Sequence, residues 1–413
     1  MGRVVVTGLG LLTPLGNDVE STWAGLIEGR SGIRPITSFD ASAYECPIGG
    51  ELQGFEPEEH VDSKLLRRID RASALAIAAS QQAVADAGLD LGSEDPERVG
   101  VLLGTGMGGA HLIIENQRVL DERGPRRVSP FLITQMLPDT ATGLVAIALG
   151  ARGPNFAVTA ACATGGAALG EAAELIARGE ADVIVAGGFE APLRPIYYAG
   201  FHAMKALATH EDPTKAVRPF EANRSGFIVS EGAGVVILES LEHAQARGAT
   251  IRGEWLAAAT ASDAFDMAAP PDDGAGITAA MQRALRRAHL DVADIDYINA
   301  HGPGTPLGDR IEAGAIRRVF GEHADALMVS STKSMHGHMM GAAGAVEAIV
   351  ALLTCERGIV PPTINYDVPD PDCQLDFVPN EARRADVRRA MSTSVGLGGH
   401  NSAIIFERWG DQG

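Results

Sequence analysis

The chain is short of positive charge: 34 lysine and arginine residues face 53 aspartate and glutamate residues, a formal net charge of −19 over 413 residues. Sequence-independent binding to nucleic acid or to an anionic membrane needs a basic footprint, so both are excluded, and an anionic partner must find a local basic patch. Cysteine is scarce as well. Cys46, Cys162, Cys355 and Cys373 form no CxxC pair and are too few to staple a chain of this length, so a reducing compartment is expected. Long apolar runs are missing: the most apolar helical stretch, 342–353, contains Glu347 and falls well short of the roughly 20 residues that cross a bilayer. The apolar stretch Val4–Leu12 has no basic leader of any length and no small-residue cleavage site after it, and reads as a first strand. A cytoplasmic protein without membrane attachment is the expectation. No Pro- or Ser-rich linker divides the chain, so any two halves share an interface.

What is present is an alternation. Apolar residues make up 46% and charged residues 21%, spread along the whole length, which is a globular composition. The length fits two domains or one large domain with a duplicated plan. Glycine-bounded aliphatic runs recur at 4–10, 98–106, 182–188, 233–239, 296–302 and 391–399, and alanine-rich helical segments lie at 70–87, 165–177, 275–288 and 342–353. That order predicts α/β layers, with helices small enough on both faces to pack between sheets. The segments 159–179 and 330–358 share one plan: a strand end, a reactive side chain, a Gly/Ala-rich turn, and a helix with an early glutamate (Glu171, Glu347) that closes at Arg-Gly. This hints at a two-fold repeat with its break near residue 250, giving halves 1–250 and 251–413.

Three residues stand where α/β folds place chemistry. Cys162 lies where a β-rich run meets a helix opening Ala163-Thr164-Gly165-Gly166, and the N–H groups of a helix N-terminus favour thiolate over thiol. His301 emerges from an aliphatic strand into a turn punctuated by Pro303, Gly304 and Pro306, and His338 holds the equivalent point before the second Gly/Ala helix. Each taken alone has a bland reading, a small buried hydrophobe or a hydrogen-bonded structural histidine, and the other three cysteines keep it. Rival chemistries are open. His301, His336 and His338 suggest a metal, but no second pair of ligands at matching spacing follows, so no metal is expected. Residues 104–109 satisfy GxGxxG after a strand, yet no second strand ending in an acidic residue follows to hold a ribose, which argues against a nicotinamide site. Lys64, Arg67, Arg68 and Arg71 are spaced i, i+3, i+4, i+7 as on one helix, and Arg123, Arg126 and Arg127 form a second basic cluster. Such stripes are either solvated faces or docking surfaces for an acidic partner.

The blocks VVVTGLGLLTPLG, TAACATG, RPFEANRSGFIVSEGAG, INAHGPGTPLGD, STKSMHGHMMGAAGAVEA and VGLGGHNS, in that order from end to end, resemble the β-ketoacyl-[acyl carrier protein] synthases of the thiolase-fold condensing enzymes, closest to the elongating synthase II type. The resemblance implies a five-layered αβαβα sandwich of two five-stranded, pseudo-symmetric halves. It implies a Cys-His-His triad at Cys162, His301 and His338, supported by Lys333 and Glu347, and an oxyanion hole from the backbone N–H groups of Cys162 and Leu397. Met107 falls where the family gates its acyl pocket, Thr305 matches a pantetheine contact, and Gly398 and Gly399 belong to the late glycine loop at the substrate. Lys64, Arg67, Arg68, Arg71, Arg126 and Arg127 match the surface that docks acidic carrier protein. The reaction implied is acyl transfer to the cysteine, decarboxylation of malonyl carrier protein and condensation, with no cofactor beyond the carrier's phosphopantetheine. The partners implied are acyl carrier protein and a second subunit, identical or a homologous chain-length factor.

Five residues depart from the family pattern: Pro303, His336 and His400 stand where threonine or smaller residues are usual, Leu397 where an aromatic gate is common, and Asp266 where histidine is frequent. They leave the triad alone and alter the pocket, which makes a specialised synthase of polyketide or polyene assembly the alternative to fatty-acid elongation. A chain-length factor carries glutamine at the nucleophile position, and a biosynthetic thiolase uses a second catalytic cysteine where this chain has His338 and the glycine loop.

Overall fold

The structure, a computed structural model, describes residues 2–410. Nine strands join in one sheet: β1 (Val4–Leu12), β2 (Val99–Gly104), β3 (Val183–Glu190), β4 (Gly232–Ser240), β5 (Gly253–Ser262), β6 (Tyr297–Asn299), β7 (Met328–Ser330), β8 (Arg389–Gly396) and β9 (His400–Arg408). Their order is β2-β3-β4-β1-β5-β9-β8-β6-β7. It mirrors itself about the β1/β5 junction. The pairs β2/β3 and β6/β8 are parallel, β3/β4 and β8/β9 antiparallel, β4/β1 and β9/β5 antiparallel. Strand β7 has its counterpart only in two isolated parallel bridges, Asn155 to Val101 and Val158 to Gly104. The expected pair of five-stranded sheets is thus modified in two ways: one edge strand is reduced to bridges, and three residue pairs, Val4–Trp255, Val5–Glu254 and Val6–Gly253, fuse the halves.

Six helices bear on the site: α1 (Arg71–Asp86), α2 (Thr140–Leu149), α3 (Thr164–Ala177), α4 (Ala275–Ala288), α5 (Pro306–Phe320) and α6 (Ala343–Arg357). Helix α1, with α2 against it, covers the outer face of the first half-sheet, and α4 with α5 covers that of the second. Helices α3 and α6 lie between the halves and touch strands of both, completing the αβαβα order. Because β1, β3 and β4 are covered on both faces, they are buried almost throughout and read as continuous aliphatic runs. Helix α6 is buried from Ala343 to Cys355, which explains a composition apolar on every side. The two central helices approach through small residues: a Cβ on Gly165 would stand 2.4 Å from the Ala345 nitrogen, and one on Gly344 2.8 Å from the Gly166 nitrogen. No side chain larger than hydrogen fits between them.

Three strands escaped the sequence reading. Strand β5 is alanine-rich and imitates a helix, β7 is only three residues long, and 391–399 is not one run, because β8 ends at Gly396 and a turn starts β9. The basic stripe is also not one helical face. Its helix stops at Leu66, and α1 begins afresh at Arg71 with the Asp70 carboxylate accepting from Ser73 N–H as its N-cap.

Candidate active site

Cys162 sits in the tight turn Ala161–Ala163 just ahead of α3. The turn is held sharp by Ala161 at φ +49°, costly for a residue with a Cβ, and by Ala160 N–H donating to the Thr164 hydroxyl at 2.8 Å. Cys162 is buried, at 8% exposure. Burial pushes the thiol up to about 11, against the pull of the Lys333 charge and of the Leu397 backbone N–H that points at the sulfur. Desolvation of the anion thus works against the thiolate that a helix start favours.

The two imidazoles are held from behind. His301 follows β6, and its N–H and that of Gly302 donate to the Glu312 carboxylate at 2.8 and 2.7 Å, with the Thr393 hydroxyl on the same carboxylate at 2.8 Å. The Lys333 ammonium donates to the His301 carbonyl at 2.7 Å, faces His301 Nδ1 at 3.3 Å and forms a fully buried ion pair with Glu347. His338 is locked by backbone bonds, its N–H to the Ile228 carbonyl at 2.7 Å and its carbonyl to Ser230 N–H at 2.9 Å. Met340 N–H approaches its Nδ1 at 3.3 Å. In both rings an N–H donor faces Nδ1, which assigns the ring proton to Nε2. Burial first, then the Lys333 charge, hold both histidines well below the ordinary imidazole range, so both are neutral. The rings stand edge to face with centroids 5.2 Å apart.

Cys162, His301 and His338 line one cavity of about 320 Å³, together with Phe201, Phe227 and Met340. Thr305, Pro303, Leu397 and Gly399 line it too, whereas Gly398 does not: it is exposed and donates its N–H to the Met267 carbonyl at 2.8 Å. Met107 does not line this cavity; it packs against the apolar cluster of Cys162, Leu193, Tyr198, Val229 and Met340. Glu312 and Asp309 were not singled out from the sequence. Asp309 receives the N–H groups of Gly304 and Thr305, both at 3.1 Å, and so shapes the Pro303–Thr305 wall. Their signal was a pair of carboxylates one helical turn apart directly after the His301 loop.

The other candidates fall into place by their partners. His336 is fully buried, donating Nδ1–H to the Gly337 carbonyl at 2.8 Å and accepting from the Thr332 hydroxyl at 3.0 Å; burial drives it down to about 3. With both ring nitrogens engaged inside the protein, it is no ligand beside His338. His400 is exposed at the start of β9, and the exposed Asp266 carboxylate accepts from Ala268 and Ala269 N–H. In the GxGxxG turn the amides a pyrophosphate would need are taken: the Glu190 carboxylate accepts from Gly106 and Met107 N–H at 2.7 and 3.3 Å. Lys64, Arg67, Arg68, Arg126 and Arg127 are exposed, and the Arg68 guanidinium lies 5.0 Å over the Phe131 ring, which sets the two basic clusters side by side. Arg71 departs from them. It turns inward to a two-pronged pair with the buried Glu231, both bonds 2.7 Å.

The layered fold, with a cysteine and two histidines around one cavity, is that of a thiolase-like condensing enzyme. Comparison with known proteins narrows the class. The model for the β-ketoacyl synthase N-terminal domain matches residues 1–244 and that for the C-terminal domain residues 252–367. The chain is 47% identical over 407 residues to a 3-oxoacyl-[acyl-carrier-protein] synthase 2 of Staphylococcus aureus (strain COL), covering 98% of both chains. Among solved structures it is similar to the ishigamide ketosynthase/chain length factor, with TM-score 0.92 and 37% identity over 99% of this chain and 100% of that one. It is similar also to a type II PKS acyl-carrier protein complex with its ketosynthase, with TM-score 0.91 and 33% identity over 98% of this chain and 99% of that one. The chain belongs to the β-ketoacyl synthase family, and it is an acyltransferase.

Proposed function

We propose that the chain is an elongating β-ketoacyl-[acyl carrier protein] synthase in which Cys162 carries the acyl chain and His301 and His338 handle the malonyl donor. The observation that carries this reading is the common cavity, in which a sulfur faces two neutral imidazoles that each keep Nε2–H free to donate. Sγ of Cys162 attacks the carrier thioester, the S–acyl bond forms, and the pantetheine thiol departs with the proton that the cysteine gives up. The N–H groups of Cys162 and Leu397 stabilise the oxyanion of that step. Malonyl carrier protein then loses CO2, and the enolate oxygen left behind is held by Nε2–H of both histidines. Neutral donors suit it, since an imidazolium would protonate the carbanion instead of stabilising it. The carbanion attacks the acyl carbonyl, the C–C bond forms, the C–Sγ bond breaks, and the product leaves two carbons longer. Lys333 and Glu347 fix His301 from behind. The substrate brings its own activated thioester, so the side chains alone carry the chemistry.

The acidic carrier docks on the exposed basic cluster of Lys64, Arg67, Arg68, Arg126 and Arg127, without Arg71. A second subunit covers the exposed apolar side chains Ile113, Ile133, Leu137, Ile147 and Phe156, either a copy of this chain or a homologous chain-length factor. The chain divides near residue 250 into a nucleophile half and a histidine half, a reading supported by the mirrored strand order. Four free cysteines suit the cytoplasm, and among the described residues no helix is long and apolar enough to cross a membrane. The polyketide alternative draws support from the pocket positions of Pro303 and Leu397, which line the cavity and depart from the family pattern. Intact-mass spectrometry with acyl carrier proteins of graded chain length tests the whole reading: one acyl adduct forms, malonyl carrier protein removes it, and Cys162→Ala forms none. An adduct on Cys162→Ala overturns it.

A further inference from the structure

The GxGxxG turn is a feature that the reaction leaves unexplained, and it leads to a buried acid. Glu190, at the end of β3, is 1% exposed and has four neutral donors on its carboxylate: the Thr105 hydroxyl at 2.6 Å, and the N–H groups of Gly106 at 2.7, Gly341 at 3.0 and Met107 at 3.3 Å. Those donors belong to two separate turns. One follows β2 and carries Met107; the other follows His338 and carries Met340, which lines the cavity. The turns meet through their glycines, since a Cβ on Gly341 would stand 2.4 Å from the Gly106 nitrogen and 2.5 Å from a Glu190 oxygen. Both methionines belong to the apolar cluster around Cys162. Met340 is held at φ +45°, a conformation that needs an external restraint in a residue with a side chain.

We propose that Glu190 is a positioning residue that sets which acyl chain lengths the enzyme accepts, by clamping the Met107 turn to the Met340 turn beside Cys162. Glutamine at this position keeps the volume. Its carbonyl oxygen still receives Gly106 and Gly341, its NH2 donates to the Thr105 oxygen, and only Met107 N–H is left facing a second donor. The substitution therefore frees the Met107 side of the clamp selectively; Met107 shifts away from Met340, which lines the cavity, and the wall recedes for a longer chain. Leucine removes all four acceptor bonds and frees both turns.

The inference rests on the condensing-enzyme reading, and the test separates the two. With a short and a long acyl carrier protein as donors, Glu190→Gln is expected to shift the ratio of kcat/KM by about tenfold towards the long donor. Decarboxylation of malonyl carrier protein, which needs no acyl pocket, stays within about twofold of the parent. Thr105→Val removes one arm from the opposite side and shifts the ratio in the same direction, which keeps the test open if Glu190→Gln does not fold. An unchanged ratio in the folded variants, or an equal loss of condensation with both donors and of decarboxylation, overturns the role of Glu190. A parent enzyme that forms no acyl adduct and does not decarboxylate overturns the underlying reading instead.

Discussion

The turn before α3 and the turn before α6 are two uses of one backbone device. Each is a tight turn with a non-glycine residue at positive φ, Ala161 at +49° and Met340 at +45°, leading into a central helix. In the first turn the next residue is Cys162, and the N–H of Leu397, just beyond β8, points at its sulfur. In the second turn the next residue is Gly341, and its N–H donates to Glu190, at the end of β3. Strands β3 and β8 occupy mirrored places in the sheet. One half thus turns an open amide towards the reacting sulfur, whereas the other fills the corresponding place with a carboxylate of its own. A duplicated frame can present the same strained turn twice, and chemistry follows only where the space beyond it is left for substrate. The mirror site is filled, and its carboxylate holds two turns together instead of meeting substrate.

Breaking the comparison from the first turn has the largest effect. Cys162→Gly makes the two turns alike; condensation should fall by about 10⁶, as when a covalent nucleophile is removed, with the fold retained by circular dichroism. Removing one enolate donor comes next. His338→Ala is expected to slow malonyl decarboxylation by about 10² to 10³ in a stopped-flow CO2 assay, and a loss under threefold would assign the enolate to other donors. Lys333→Met separates charge from placement: without the cation near the sulfur, the rise of iodoacetamide alkylation of Cys162 should move to higher pH, because a cation favours thiolate and its loss disfavours it. The second turn is broken by Gly341→Ala, whose Cβ meets backbone of Thr105 and Gly106 and a Glu190 oxygen. An overpacking cost of about 1 to 3 kcal/mol in urea titrations is expected, together with a shift of the long-to-short donor ratio in the direction of Glu190→Gln, because the same clamp is pushed apart. The smallest effect sharpens a different contrast, between Arg68 and Arg71. Arg67→Glu with Arg68→Glu should raise KM for carrier protein several-fold and spare small thioesters, whereas Arg71→Met should leave that ratio alone and lower stability, since it strands Glu231 in the interior.

The order of elements and the three candidate side chains of the cavity were legible in the sequence because each left a local mark. Aliphatic runs ending in glycine gave the buried strands, and Cys162, His301 and His338 each sat between a strand-like run and a glycine turn. Glu171 and Glu347 looked equivalent in the repeat, but only Glu347 enters the site, where it holds Lys333, while Glu171 faces Arg178 outside it. Spacing records neighbours along the chain and is silent on neighbours across it. For the same reason the basic stripe read as one helical face, although Asp70 starts a new helix inside it and Arg71 answers to a partner 160 residues away.

The sequence by itself determined the layered class, the three candidate residues Cys162, His301 and His338 that the fold brings to one cavity, and the acidity that obliges a partner to find a local patch. Tertiary structure decided the protonation of those groups and the meaning of the glycine turns. Burial sets the thiol and both imidazoles neutral, Lys333 and Met340 N–H assign the ring protons, and Glu190 claims the amides that a motif alone would have offered to a phosphate. Such outcomes depend on desolvation and on hydrogen bonds between residues far apart in the chain, and these exist only once the chain has folded.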